Sequence, residues 1–113
     1  MFSRPLPLDR RREKALRQGD IALDGQLDLH GLTQDAAYTA LAAFMRRQVR
    51  EGARYLLVIT GKGREGEGVL RRSFKDWLAD LPERGSILAV RPAAPKHGGE
   101  GAFYVLLRRQ REE

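Results

Sequence analysis

The chain has no cysteine and only two histidines, His30 and His97, among its 113 residues. Disulfide frameworks, thiolate metal centres and cysteine nucleophiles are therefore excluded, and imidazole chemistry can come from two positions alone. No apolar run approaches the roughly 18 to 20 residues that a membrane-spanning helix requires. Met1 to Arg12 carry charge without a following apolar segment, so no secretory leader is expected. These absences point to a cytoplasmic protein without a membrane partner.

What is abundant is positive charge. Twenty-one Lys and Arg stand against fifteen Asp and Glu, for a formal charge of +6, and arginine far outnumbers lysine. The planar guanidinium fork suits phosphate better than a lysine point charge does, so a polyanion is the expected partner. A hydrophobic content of 42% in a chain of this length supports one ordinary core. The expected organisation is a basic, partly helical N-terminal arm over 1–24, a single domain over 25–110 and a short tail over 111–113, in a monomer.

The arm begins with Pro5 and Pro7, then runs through Asp9-Arg10-Arg11-Arg12-Glu13-Lys14-Ala15-Leu16-Arg17 to Gly19. It reads as an extended start and a short basic helix with little apolar face, not stable alone, and is treated as an arm that orders against the domain or against a nucleic acid.

From Gln26 the pattern becomes regular. Leu27-Asp28-Leu29-His30 alternates apolar and polar at period 2, the signature of a strand with leucines facing inward, and Gly31 turns the chain. Thr33 is a candidate N-cap with Asp35 in the first turn, and Ala37, Leu41, Phe44, Met45 and Val49 mark one helical face that stops at Gly52. Tyr55 to Ile59 is a nearly continuous apolar run suited to a strand covered on both sides.

A glycine-rich loop, Thr60 to Gly68, leads to a second apolar helical face of Leu70, Phe74, Trp77, Leu78 and Leu81, ended by Pro82 and Gly85. Ile87 to Val90 and Ala102 to Leu107 are two further strands. The order β-α-β-α-β-β, with two helices for four strands, predicts an α/β (α+β) two-layer sandwich with both helices on one face of the sheet and the other face at least partly open.

Residues two apart on a strand share a face, so Asp28 and His30 project together, away from the leucines. A carboxylate beside an imidazole can fix its tautomer, the arrangement a general acid or base needs. A histidine satisfied structurally by its neighbour is the alternative. If the first three strands are parallel, the turns after His30, Ile59 and Val90 lie on the carboxyl edge, where open α/β sheets bind ligands. Three glycine turns then converge: His30-Gly31, Gly61-Lys62-Gly63 and His97-Gly98-Gly99. Backbone amides freed by glycine, with Lys62 and Arg64, form a candidate phosphate cradle.

Gly61 to Gly66 also matches G-x-G-x-x-G, but the acidic residue about 20 positions on is Asp80, at a helix end rather than a strand tip, which argues against a dinucleotide site. A Walker loop fails because Gly63 follows Lys62 where Ser or Thr is needed. Neither Asp28 nor Glu65, Glu67 and Glu100 stands at a recognisable metal-ligand spacing, so the sequence identifies no certain cofactor. A divalent cation would be called for only if DNA is the substrate.

Leu27-Asp28-Leu29-His30-Gly31, Thr60-Gly61-Lys62-Gly63 and the run from His97 to Arg108 resemble, in order, the motifs of the small MutS-related (Smr) domain, and the resemblance covers about Leu27 to Arg109. It includes stand-alone bacterial members with an N-terminal extension. The resemblance implies a mixed four-stranded sheet with the last strand antiparallel, similar to the C-terminal domain of translation initiation factor three. It further implies endonuclease or nicking activity on DNA or RNA, including messenger RNA on stalled ribosomes.

Carried over by motif, Asp28 and His30 are the catalytic pair. Gly31, Thr60, Gly61, Lys62, Gly63, Arg64, His97, Gly98 and Gly99 are then the candidate contacts to phosphate. Many members have a histidine immediately before Gly61 where this chain has Thr60, so His97 or Lys62 would have to supply that group here. The inventory of His30, Asp28, Lys62 and His97 fits RNA cleavage through the 2′-hydroxyl better than metal-assisted DNA hydrolysis. A non-catalytic nucleic-acid- or ribosome-binding module, using Arg46, Arg47, Arg50, Arg71, Arg72 and Lys75, is the rival reading.

Overall fold

The computed structural model describes residues 8–62 and 67–109. The expected extended start, the tail over 111–113 and the candidate residues Gly63 and Arg64 lie outside the described residues. Seven main elements follow in chain order: α1 (Arg10–Gln18), β1 (Gly25–Asp28), α2 (Gln34–Arg50), β2 (Tyr55–Ile59), α3 (Glu67–Asp80), β3 (Ile87–Pro92) and β4 (Ala102–Leu107). Short 3-10 turns at Pro82–Ser86, Pro95–His97 and Gly99–Gly101 flank β3 and lead into β4.

The strands lie in the order β1-β2-β4-β3. β1 runs parallel to β2, and β4 is antiparallel to both β2 and β3, so the first three strands share one direction. The carboxyl ends of β1, β2 and β3 and the start of β4 therefore meet at one edge. All six residues of β4 are buried, as its place between two neighbours and two covered faces requires.

The local reasons for the helices are those the sequence suggests. Thr33 Oγ1 accepts from the Ala36 N–H, and Ala37, Leu41, Phe44 and Met45 bury one face of α2. Leu70, Phe74 and Leu78 do the same for α3, with the Phe74 ring stacked on Phe103 of β4 at a centroid distance of 4.9 Å. Together with Leu29, Leu56, Val58, Val105 and Leu107 they form the core between the sheet and α2 and α3.

The opposite face is open only in part. It is not left open along β4 and β3: α1 packs there, so the segment read as an arm is docked. Leu16 is buried with Leu57, Ala93, Ala94, Ala102, Tyr104 and Leu106, and Leu8, Ile21 and Leu23 pack on the same cluster. Burying one leucine contributes roughly 1.5–3 kcal/mol, and Glu13 adds a paired contact to Arg91 of β3. Asp9 caps α1 by accepting from the Arg12 N–H, and Gly19, at φ +75, ends it. Asp24 then secures the return of the chain, its carboxylate accepting from the Arg54 and Tyr55 backbone N–H groups. Only the β1 side of this face, carrying Asp28 and His30, remains exposed.

Candidate functional site

The motif from Leu27 to Gly31 is divided between core and surface by the strand pleat. Leu29 is fully buried, and its N–H donates to the Ile59 carbonyl at 2.7 Å, extending the β1 to β2 ladder beyond Asp28. On the other face, Asp28 Oδ1 accepts from the His30 backbone N–H at 3.0 Å and lies 2.7 Å from His30 Nδ1. With Asp28 ionised, that second bond requires the proton on Nδ1 and directs proton exchange to Nε2. The His30 and Asp28 side chains are 60% and 48% exposed, so a ligand in solvent can reach both. Gly31, at φ +83, turns the chain toward the Thr33 cap.

Two residues past the register pair Asp28 and Ile59 stand His30 on one strand and Gly61 on its neighbour. The Thr60 and Gly61 N–H groups both donate to the Gly101 carbonyl, at 2.9 and 3.0 Å. This welds the loop after β2 to the turn before β4. A Cβ on Gly101 would lie 3.1 Å from both the Gly61 carbonyl carbon and Lys62 Cγ, a tight approach that favours glycine. Gly61 adopts φ +95, which also favours glycine.

Two of the expected phosphate contacts have other roles. Thr60 has no exposed surface, and its hydroxyl donates to the Gly61 carbonyl at 3.2 Å. Its side chain shapes the loop and cannot reach a phosphate in solvent. His97 Nδ1 lies 2.5 Å from the hydroxyl of Tyr104, a fully buried ring whose oxygen also accepts from the Ala94 N–H. That bond commits one face of the half-buried imidazole to the sheet. Sequence reasoning missed the partner of His97 because Tyr104 is a strand residue whose neighbour is set by the fold, not by spacing.

Lys62, Gly98 and Gly99 do come together. With Pro95 and Glu100 they line a shallow concavity of about 340 Å³. A neighbouring one of about 540 Å³ shares Pro95, Gly99 and Glu100 and extends to Arg71, Pro92 and Phe103. The Arg71 Nε donates to the Glu100 carbonyl at 2.9 Å, which fixes the guanidinium at this rim. Gly101 and Arg71 are thus site-edge residues to which the motif reading gave no such role; the run Gly98-Gly99-Glu100-Gly101 was the available signal for the first. Among the described residues no group of three or more His, Asp or Glu side chains could hold a metal ion. Nor is any described helix long and apolar enough to cross a membrane.

The chain is similar in sequence and fold to known proteins. Residues 27–108 match the Smr domain model. The chain is 37% identical over 94 residues to the ribosome rescue factor SmrB of Tolumonas auensis and 38% identical over 94 residues to that of Yersinia enterocolitica. Those matches cover 83% of this chain and 51% and 50% of the relatives, so the chain spans about half their length. Among solved structures, the stand-alone small MutS-related protein YdaL of Escherichia coli superposes with a TM-score of 0.76 at 27% identity, over 96% of this chain and 82% of YdaL. The Smr domain of Thermus thermophilus MutS2 does so with a TM-score of 0.63 at 27% identity, over 74% of this chain and 98% of that domain. The Leu-Asp-Leu-His-Gly strand end, the fold that carries it and these matches lead to one assignment: the chain belongs to the Smr domain family.

Proposed function

We propose that this chain is a nucleic-acid endonuclease whose preferred substrate is RNA, with His30 as the proton-transfer group, Asp28 as its orienting partner and Lys62 as the phosphate contact. The observation that carries the reading is the 2.7 Å bond between Asp28 and His30 Nδ1 on an exposed strand end. A surface histidine held in one tautomer beside a lysine and glycine loop is suited to intramolecular phosphodiester cleavage.

In that reaction His30 Nε2 removes the 2′-hydroxyl proton and the 2′ oxygen attacks phosphorus. The bond from phosphorus to the 5′ oxygen breaks, and the departing oxygen takes up a proton from solvent water, while the proton held on His30 Nε2 returns to solvent. The Lys62 ammonium and the loop N–H groups stabilise the charge on the phosphorane. Arg64 and Gly63 belong to the same loop and complete the proposed contact set with Gly31, Gly61, Gly98 and Gly99. The products are a 2′,3′-cyclic phosphate and a 5′-hydroxyl. If DNA is cut instead, the 2′-hydroxyl is missing and a divalent cation has to activate water.

Relatives named ribosome rescue factor favour RNA and a ribosome partner over free duplex DNA. Such a partner implies the cytoplasm, and the catalytic unit proposed is the monomeric segment 25–110. The alternative, a binding module without cleavage, draws on the exposed Arg46, Arg47 and Arg50 of α2, which belong to none of the ion pairs among the described residues.

The deciding experiment incubates end-labelled single-stranded RNA and supercoiled plasmid with wild type and with His30→Ala, and maps the termini of any product. Cleavage lost in the variant, with cyclic phosphate ends, supports the proposal. Equal cleavage by both proteins would sink it. Tight, salt-sensitive binding with intact RNA after long incubation would favour the binding module.

A further inference from the structure

The N-terminal helix α1 sorts its charges by face. Its acid, Glu13, points to the sheet, where both carboxylate oxygens bond to Arg91, at 3.1 and 2.9 Å. Its bases Arg10, Arg11, Lys14 and Arg17 are exposed on the side away from buried Leu16. None of the four belongs to an ion pair among the described residues. The helix therefore presents a cationic ridge whose one internal counter-charge is bonded elsewhere.

Helix stability does not account for this placement. Arg10 and Arg11 stand in the first turn, where the helix dipole disfavours positive charge. Arg10 and Lys14 are four apart, and Lys14 is three from both Arg11 and Arg17, so like charges repel along the ridge. Docking does not require them either, since Leu16 and Glu13 make the contacts to the sheet. Arg10, Arg11 and Lys14 thus oppose local stability; Arg17, in the last turn and four residues after Glu13, is the one base of the ridge whose charge also acts on that carboxylate.

Its position relates it to the carboxyl edge. α1 lies on the sheet face that also carries Asp28 and His30. Its end adjoins the loop before β4: a Cβ on Gly19 would meet Lys96 and Ala94, and the Lys96 Nζ lies 3.6 Å from Asp20. Pro95, Gly98 and Gly99 of that same loop line the concavity beside Lys62. The concavity at Lys62, the loop before β4 and the end of α1 are thus contiguous.

We infer that the outer face of α1, formed by Arg10, Arg11, Lys14 and Arg17, is a track for the phosphodiester backbone of a single-stranded RNA whose scissile bond lies at His30. The inference deepens the nuclease proposal and rests on it for the direction of the strand. The ridge itself is tested by binding, without cleavage.

The test compares two variants matched in charge, Arg10→Gln/Lys14→Gln/Arg17→Gln on α1 and Arg46→Gln/Arg47→Gln/Arg50→Gln on α2. The probe is a fluorescent 2′-O-methylated oligonucleotide, which cannot undergo 2′-hydroxyl attack, titrated at several salt concentrations. Each phosphate contact to a single strand contributes about 0.7 to the slope of log Kd against log salt. The α1 variant is expected to lose about 2 from that slope and to bind about tenfold or more weakly at moderate salt. Its Tm should be nearly unchanged, because relief of repulsion at Arg10 and Lys14 offsets the loss of the Arg17 charge near Glu13; a large fall would mark a structural role for these bases.

The α2 variant should keep the wild-type slope. Equal losses from both variants, loss from the α2 variant alone, or no loss from either would overturn the inference. So would an α1 variant that keeps its oligonucleotide affinity but loses binding to anionic phosphatidylserine vesicles, which would assign the ridge to a lipid surface. If wild type leaves ordinary RNA uncut while the α1 variant still loses oligonucleotide affinity, the nuclease reading fails and the track stands.

Discussion

Glu13 and Arg91 meet fork to fork, Oε1 on Nε at 3.1 Å and Oε2 on Nη2 at 2.9 Å, across 78 positions of sequence. The bond from Arg91 holds the Glu13 carboxyl below its ordinary 4.5. Asp24, which accepts from the Tyr55 and Arg54 backbone N–H groups, is likewise held below its ordinary 3.8.

A carboxyl whose pKa is lowered by folding contributes stability that is present above its unfolded pKa and is lost as pH falls through the folded one. Thermal melts of wild type, Glu13→Gln and Asp24→Asn across acidic pH should therefore converge. Wild type should be the more stable at neutral pH, and the advantage should shrink once the pH drops below about 4. The effect is modest because water screens both groups. Curves offset by the same amount at every pH would show that the charge is not involved.

Asp28→Asn keeps the size of the side chain and removes the charge that holds the proton on His30 Nδ1. Cleavage of RNA by Asp28→Asn and by His30→Ala should each fall by about a hundredfold to ten-thousandfold. The double variant should be no slower than His30→Ala alone, because the proposed mechanism has the two residues act as one unit. Both side chains are exposed, so melting temperatures should hardly move. Independent, multiplying losses would argue against the pair.

Tyr104→Phe removes the hydroxyl that serves both the Ala94 N–H and His97 Nδ1. Leaving these groups without that partner should cost about 1–3 kcal/mol, read as a fall of several degrees in Tm. His97→Phe should also destabilise the protein. If His97 were instead a phosphate ligand only, its replacement would weaken RNA binding and leave Tm unchanged.

Gly101→Ala tests the weld between the two loops. Its Cβ would press on the Gly61 carbonyl carbon and the base of Lys62. KM for RNA should rise several-fold as the Lys62 loop is displaced, while Gly85→Ala, whose Cβ would meet nothing within 4 Å, should behave as wild type. Unchanged kinetics in Gly101→Ala would remove this contact from the site.

Much of the molecule can be read locally. Leu27 and Leu29 reveal β1 because a half-buried strand has period 2, and Thr33 with the Ala37, Leu41, Phe44 and Met45 stripe reveals α2. The motif pair from β1 and β2 locates the site edge. Relationships between distant residues are not legible in this way. Thr60 looks like a loop residue, yet its amide bonds to Gly101 and its side chain is enclosed. α1 carries a single buried leucine, so its pattern alone cannot show that Tyr104 and Leu106 provide a surface for it. Leu8, Ile21 and Leu23, spaced on either side of Leu16, were the clue that the segment belongs to the fold.

β4 is the last strand in sequence and lies between β2 and β3 in space. A growing chain that has reached Pro92 therefore holds two strands whose shared partner has yet to be made. Gly101, which fastens the Lys62 loop, and Tyr104, which fastens His97, arrive with that same strand. Until β4 has been made, the edge that carries Lys62 and His97 lacks both of these fastenings, so the candidate site is completed only when the sheet itself is.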